Sequence, residues 1–106
     1  MDRPPFLIPS IIFLIISIPL VAGKIPRNRF YGMRTRKALS DEGVWYAVNR
    51  FGGWLVIVSS LIYLGIAVFV PYSVDSTSIN WWTHIAGFVL PLVISIFMIH
   101  SYTKRL

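Results

Sequence analysis

The fold is decided around residues 24–53, which read KIPRNRFYGMRTRKALSDEGVWYAVNRFGG and separate the apolar parts of the chain. This stretch holds seven of the ten basic residues, namely Lys24, Arg27, Arg29, Arg34, Arg36, Lys37 and Arg50. The whole 106-residue chain is 56% hydrophobic and 13% charged, whereas soluble domains are about one quarter charged. The composition therefore predicts an all-α integral membrane protein with one concentrated polar segment.

Three apolar runs flank this stretch, and each is long enough to cross the hydrocarbon core, which needs ~17–25 helical residues. The runs cover residues 6–22, 54–70 and 82–100. Pro19 is expected to kink or end the first helix, because its ring removes a backbone N–H. We expect one domain, residues 1–106, with three transmembrane helices and a polar loop at residues 73–80.

Residues 40–51 predict a short amphipathic helix at the membrane interface, within the first loop. Ser40 is a suitable N-cap, and two acids follow it in the first turn, where the helix dipole favours negative charge. Apolar residues then recur at helical spacing, at Val44, Trp45, Val48 and Phe51. On this pattern Asn49 lies on the opposite, polar face.

The ends of this amphipathic segment are less sharply specified. Residues 24–39 contain the breakers Pro26 and Gly32 and show no periodicity, so an irregular connection is expected there. The pair Gly52–Gly53 leaves two alternatives. The chain bends between the interfacial helix and the second span, or one helix runs from about residue 41 to 70 and the glycines let another helix approach closely.

The positive charge predicts an orientation in the cell membrane. The loop at residues 24–50 carries seven Lys or Arg, residues 72–80 carry none, and the tail carries Lys104 and Arg105. By the positive-inside rule the basic loop and the C-terminus are cytoplasmic, and the N-terminus is outside. Topology and attraction to anionic lipid headgroups explain the net charge of +6, so no nucleic acid partner is expected.

Few residues suit catalysis or metal binding. The chain has no cysteine, and no paired carboxylates or HExxH motif occur. His84 and His100 are 16 residues apart, about 24 Å along a helix, which is too far to share an ion, so we expect them at the two interfaces. The sequence predicts no metal, no cofactor and no enzyme.

The basic stretch resembles the signature loop of the SdpI family. The matching residues run in the order NRFYGMRT from Asn28, LSDE from Leu39, VW from Val44 and NRFGG from Asn49. Two positions depart from the family pattern, since Ala38 stands where Thr is usual and Arg36 where Pro is common. The family consists of small bacterial and archaeal membrane proteins. Its name-giving member, which has an additional membrane half, gives immunity to a secreted killing peptide and takes part in signalling to a repressor.

The resemblance implies a binding site in the loop and the helix after it. The candidate residues are Arg27, Asn28, Arg29, Arg34, Thr35, Glu42, Trp45, Asn49 and Arg50. We expect Arg34, Glu42, Trp45, Asn49 and Arg50 to form one cluster, in which Glu42 pairs with a basic residue such as Arg34. Such an ion pair serves either loop folding or ligand binding, and the sequence leaves both open.

The predicted function is a membrane immunity, stress-resistance or signalling module that binds a toxin peptide, a regulator protein or a lipid headgroup, with self-association possible. Two alternatives stay open. The first is an enzyme or carrier for a phosphorylated lipid, in which the arginines hold the phosphate and Glu42 acts as acid or base. The second is a structural small subunit of a membrane complex.

Overall fold

The computed structural model describes residues 4–28, 30–72 and 79–106, and every regular element in these ranges is an α-helix. The helices are α1 at Leu7–Val21, α2 at Arg36–Ser40, α3 at Glu42–Phe69 and α4 at Ile79–Lys104. The predicted all-α class is confirmed. Most of the predicted polar loop at residues 73–80 lies outside the described residues, and its last two residues already belong to α4.

Two helices are long and apolar enough to cross a membrane. They are α3, with 28 residues and a peak mean hydropathy of 2.1, and α4, with 26 residues and 2.0. Only 33% and 17% of these apolar windows are buried inside the protein, so most of their apolar surface faces outward, as on lipid-facing helices. Helix α1 is also apolar but has 15 residues, about 22 Å, which is shorter than the ~30 Å hydrocarbon core. It continues through Pro19 and ends at Val21.

Helix α3 is continuous from Glu42 to Phe69, so the predicted interfacial helix at residues 40–51 is the first half of a longer one. Its N-cap is Asp41, whose carboxylate accepts from the Val44 N–H at 3.1 Å, and not Ser40 as expected. Ser40 ends α2, which occupies part of the predicted irregular connection. The continuous helix, the second alternative left open by the glycine pair, is confirmed.

Small residues let α1 and α4 pack closely against α3. Gly53 is in contact with α1, where an added Cβ would lie 2.8 Å from Val21 Cγ2 and 3.3 Å from the Ser17 carbonyl. On the α4 side, the hydroxyls of Ser59 and Ser95 are 3.0 Å apart and hydrogen-bonded. In a lipid environment, helix association depends on this kind of close packing, because apolar side chains gain little by leaving lipid.

The end of the bundle farthest from the basic loop is joined by a buried chain of hydrogen bonds. His84 Nε2 lies 2.8 Å from the Val70 carbonyl, which can only accept, so this nitrogen carries the proton. In the neutral ring Nδ1 then accepts from the Tyr63 hydroxyl at 2.9 Å, and the Tyr63 oxygen accepts from the Phe6 N–H at 3.3 Å. His84 is fully buried within the bundle, beside the end of α3, and its position at a membrane interface stays a prediction. His100, at the other end of α4, is exposed.

Candidate functional site

The side chain of Asn49 connects the basic loop to the first half of α3. Its Oδ1 accepts from the Met33 N–H at 2.6 Å. Its amide nitrogen donates to the Trp45 carbonyl at 2.9 Å and to the Met33 carbonyl at 3.3 Å. The residue is 1% exposed, whereas the periodicity placed it on a polar outer face. That expectation is wrong because the loop covers this side of the helix and supplies main-chain partners.

Trp45 forms the hydrophobic centre of the same contact. Its side chain is fully buried and clusters with Ala38 of α2 and Val48. Its indole N–H donates to the Ile25 carbonyl at 2.9 Å, so the ring is buried with its polar atom satisfied. The loop is therefore held at its start by Ile25, at its middle by Met33 and at its end by Ala38.

Three polar or small residues shape the loop backbone between these points. Asn28 forms an Asx turn, in which its Oδ1 accepts from the N–H groups of Phe30 and Tyr31 at 2.8 and 2.7 Å. Gly32 has a φ of +109°, and an added Cβ would lie 2.6 Å from Asn49 Oδ1. Thr35 caps α2 by accepting from the Ala38 N–H at 3.2 Å. Each of these residues has a role in folding the loop.

The loop also contacts the two outer helices. The Tyr31 hydroxyl donates to the Ile16 carbonyl of α1, and partial burial raises the pKa of this phenol above its ordinary value of 10.0. The Lys37 ammonium donates to the Thr103 carbonyl of α4 at 3.3 Å. Arg50 Nε donates to the Val21 carbonyl at 3.3 Å, which connects α3 to the end of α1. We call this end of the bundle, with the loop and the C-terminus of α4, the basic end.

Most charged side chains of the basic end are exposed, including Lys37 and Arg50, which also donate to carbonyls of α4 and α1. The exposed cations are Lys24, Arg27, Arg34, Arg36, Lys37, Arg50, Lys104 and Arg105. Phe30, at the loop surface, is 91% exposed. Arg29 lies outside the described residues. The surface combines positive charge with an exposed aromatic ring, which suits contact with anionic groups at a membrane or with an acidic partner.

The predicted five-residue cluster is correct in part. Trp45 and Asn49 meet the loop directly, and Arg50 lies beside Gly23, with its guanidinium 3.3 Å from a Cβ built there. Glu42 is exposed, and within the part of the chain that the structure describes it forms no ion pair with Arg34. The expected Glu42–Arg34 pair is therefore wrong, because neutral amide and indole groups fold the loop instead.

The sequence analysis did not predict the roles of several residues that hold the loop. Met33, Ile25 and Ala38 pack on or bond to α3 through backbone groups or small apolar surfaces. Tyr31 was noted only as part of the motif, although it carries the contact to α1. The one usable signal was Gly32, since glycine is the residue that most readily adopts the positive φ found there.

Two hollows of about 370 Å³ each adjoin the loop. The first lies between α1 and α4 and is closed at the basic end by residues 31–33. The second is lined by Met33, Arg34, Thr35 and His100 together with two isoleucines of α4. Among the described residues, no three His, Cys, Asp or Glu side chains come together as a metal site would require. The chemistry displayed at this end is that of cations and apolar surface.

Comparison with known proteins connects this geometry to a family. The model of the SdpI/YfhL protein family matches residues 24–99, which include the basic loop, α3 and most of α4. Among curated proteins, the uncharacterized protein YfhL of Bacillus subtilis (strain 168) is 39% identical over 41 residues. That match covers 39% of this chain and 37% of YfhL, so well under half of the relative's length is matched. No solved structure matches the chain.

Proposed function

The chain belongs to the SdpI/YfhL protein family, and we propose that it is a membrane immunity, stress-resistance or signalling module whose basic loop binds an anionic partner. On this proposal α1, α3 and α4 all cross the cell membrane, with the loop and the C-terminus in the cytoplasm. The partner is a toxin peptide, a regulator protein or a lipid headgroup. Family membership supports the immunity type, and the positive charge of the basic end supports an anionic partner.

One observation carries the proposal. Neutral side chains make most of the contacts that fold the loop, whereas the loop cations that the structure describes are all exposed. A loop that served only as a topology signal would need Lys and Arg but no fixed conformation. A loop held by Asn49, Trp45 and Thr35 presents its cations in a defined arrangement. Such an arrangement lowers the entropy cost of binding, because the loop is ordered before the partner arrives.

The proposal is tested by protection of a sensitive bacterial host. Wild type is compared with the double variant Arg27→Gln/Arg34→Gln and with the control Lys104→Gln/Arg105→Gln, which removes the same charge from the same end. Protection is expected with wild type and the control and is expected to be lost with the loop variant, at equal amounts of protein in the membrane. If the two double variants protect equally, the arranged loop cations are not the binding surface. If wild type protects against no membrane-active peptide, the immunity type is wrong.

The orientation has its own test, because the chain has no cysteine and single cysteines can be introduced cleanly. Ile79→Cys at the far end and Ser40→Cys in the basic loop are labelled with a membrane-impermeant maleimide. Labelling of Ile79→Cys in intact cells, and of Ser40→Cys only after permeabilisation, is the expected result. The reverse pattern would place the loop outside. The lipid enzyme or carrier and the structural subunit stay predictions from the sequence.

A further inference from the structure

The groove between α1 and α4 has the shape of a lipid-chain site. Away from the basic end the two helices are in contact: the rings of Phe6, the N-cap of α1, and of Phe13 stack on Phe88 of α4, with centroids 4.3 and 6.2 Å apart. Toward the basic end the helices leave a hollow of about 370 Å³, within the ~300–1,000 Å³ range of ligand pockets. Val56 of α3 forms part of its lining.

The walls of this groove are apolar and open sideways. Ile16 and Leu20 line it from α1, and Leu92 and Ile96 line it from α4. Ile96 is 65% exposed, so its wall faces the space that lipid occupies around the helices. One polar group of its lining, the Ser95 hydroxyl, is already hydrogen-bonded to the Pro91 carbonyl at 2.7 Å. An occupant of this groove gains from apolar contact and needs no polar group there.

The basic loop gives the groove a charged end. Met33 lines both this groove and the second hollow, and so do Ile96 and Ile99 of α4. The second hollow adds Arg34 and His100 to this shared wall. A continuous apolar surface therefore runs from the groove to the guanidinium of Arg34 and the imidazole of His100, which lie at the basic end of the apolar helices. An amphiphile with one apolar tail and one anionic head matches this order of surfaces.

We propose that the groove binds one acyl chain of an anionic phospholipid, with the lipid phosphate beside Arg34 and His100. This inference rests on the proposed placement of the helices in the membrane, and it holds whether or not the loop also recognises a toxin peptide or a regulator protein. Charge complementarity favours a phospholipid over a helix of a second copy, whose backbone is neutral and whose side chains at this end carry the same positive charge.

The test measures lipid retention by native mass spectrometry of the full chain in detergent, with dioleoyl phosphatidylglycerol or dioleoyl phosphatidylcholine added. Wild type is expected to retain one phosphatidylglycerol and to bind it about tenfold more tightly than phosphatidylcholine. Arg34→Gln should remove this preference, whereas Lys24→Gln, an exposed loop cation outside the hollow, should keep it. Equal binding of the two lipids by wild type would overturn the proposal, since bulk lipid contact predicts it.

A second pair of variants tests the groove itself without changing charge. Val56→Phe places a larger side chain in the groove and is expected to abolish retention of the bound lipid. Val58→Phe makes the same change at an exposed position of α3 that does not line the groove, and lipid retention should be unchanged. If Val56→Phe retains the lipid as wild type does, the acyl chain does not bind in the groove and the proposal is wrong. Crosslinks between the groove residues of two copies would show that a second copy occupies the groove, and this result would also overturn the proposal.

The protection assay keeps the two proposals separate. A Val56→Phe variant that loses lipid yet still protects the host would leave the proposed function standing without a lipid site in its mechanism. Wild type that retains phosphatidylglycerol but protects against no peptide would leave the lipid site standing and end the immunity proposal.

Discussion

Replacing Asn49 with alanine should detach the basic loop from α3. The carboxamide is 1% exposed and makes three hydrogen bonds, of which two go to Met33 in the loop. Alanine has the same backbone and a higher helix propensity than asparagine, so α3 itself is not expected to break. The effect is therefore expected in the attachment of the loop.

The size of this effect follows from the two lost hydrogen bonds to Met33 and from the Met33 N–H that is left without an acceptor. Each net hydrogen bond contributes ~0.5–1.5 kcal/mol, and a buried donor without a partner costs about 1–3 kcal/mol. After truncation the Met33 N–H loses its acceptor, which lies at 2.6 Å in the folded loop. The free energy of loop detachment should therefore fall by roughly 2–4 kcal/mol, which raises the detached population about 30- to 1,000-fold.

The assay is the rate of trypsin cleavage within residues 24–40 in detergent micelles, read by mass spectrometry. Cleavage follows the detached population when the loop opens and closes faster than the protease cuts. Ser40→Ala is the control, because it also removes a side-chain hydrogen bond, from Oγ to the Lys37 carbonyl at 2.8 Å, but an exposed one. Its rate should stay within about threefold of wild type. If Asn49→Ala is cleaved no faster than Ser40→Ala, the carboxamide does not hold the loop.

Three further predictions concern other single contacts. Gly32→Ala should destabilise loop attachment by more than about 1 kcal/mol, because φ is +109° and the new Cβ would meet Asn49 Oδ1. Gly65→Ala, which has open space around it, should not destabilise loop attachment, and the same cleavage assay measures both variants. Tyr63→Phe removes the hydroxyl donor to His84 and should lower thermal stability by about 1–3 kcal/mol, as followed by circular dichroism in micelles. The raised pKa of Tyr31 means that the neutral phenol is favoured in the folded loop. Its contribution to loop attachment is therefore complete below pH 10 and is lost as the pH rises through the pKa of the folded state. The cleavage rate should not depend on this group from pH 7 to 9, and Tyr31→Phe should remove the weakening of loop attachment above pH 10.

The helices were predictable from hydropathy, but their boundaries were not. The glycine pair at Gly52–Gly53 left both a bend and a continuous helix open, since each glycine costs a helix about 1 kcal/mol relative to alanine. Packing overrides that cost, because both glycines have side chains of other elements within contact distance, Met33 on one and Val21 on the other. The cap was misplaced because Ser40 and Asp41 are both good caps, and the five-residue α2 is too short to show a period.

The candidate site stays a prediction, and the contacts that fold its loop were not predictable from the sequence. Most partners of the loop-holding side chains are main-chain carbonyl and N–H groups, such as those of Met33 and Ile25. Every residue but proline offers these same groups, so no sequence pattern identifies which one is used. The Glu42–Arg34 pair was inferred from opposite charge, which does not determine a partner where many cations lie within a short loop.

The division between neutral and charged residues also explains what a resemblance in this loop can imply. Gly32, Thr35, Trp45 and Asn49 each take part in a contact that fixes the backbone, so we expect a chain that carries them to form the same loop conformation. The exposed cations take little part in those contacts, and a change among them alters the electrostatic potential without removing the loop's packing. Motif residues therefore specify how the loop is held, and under the proposed function the exposed cations select the partner.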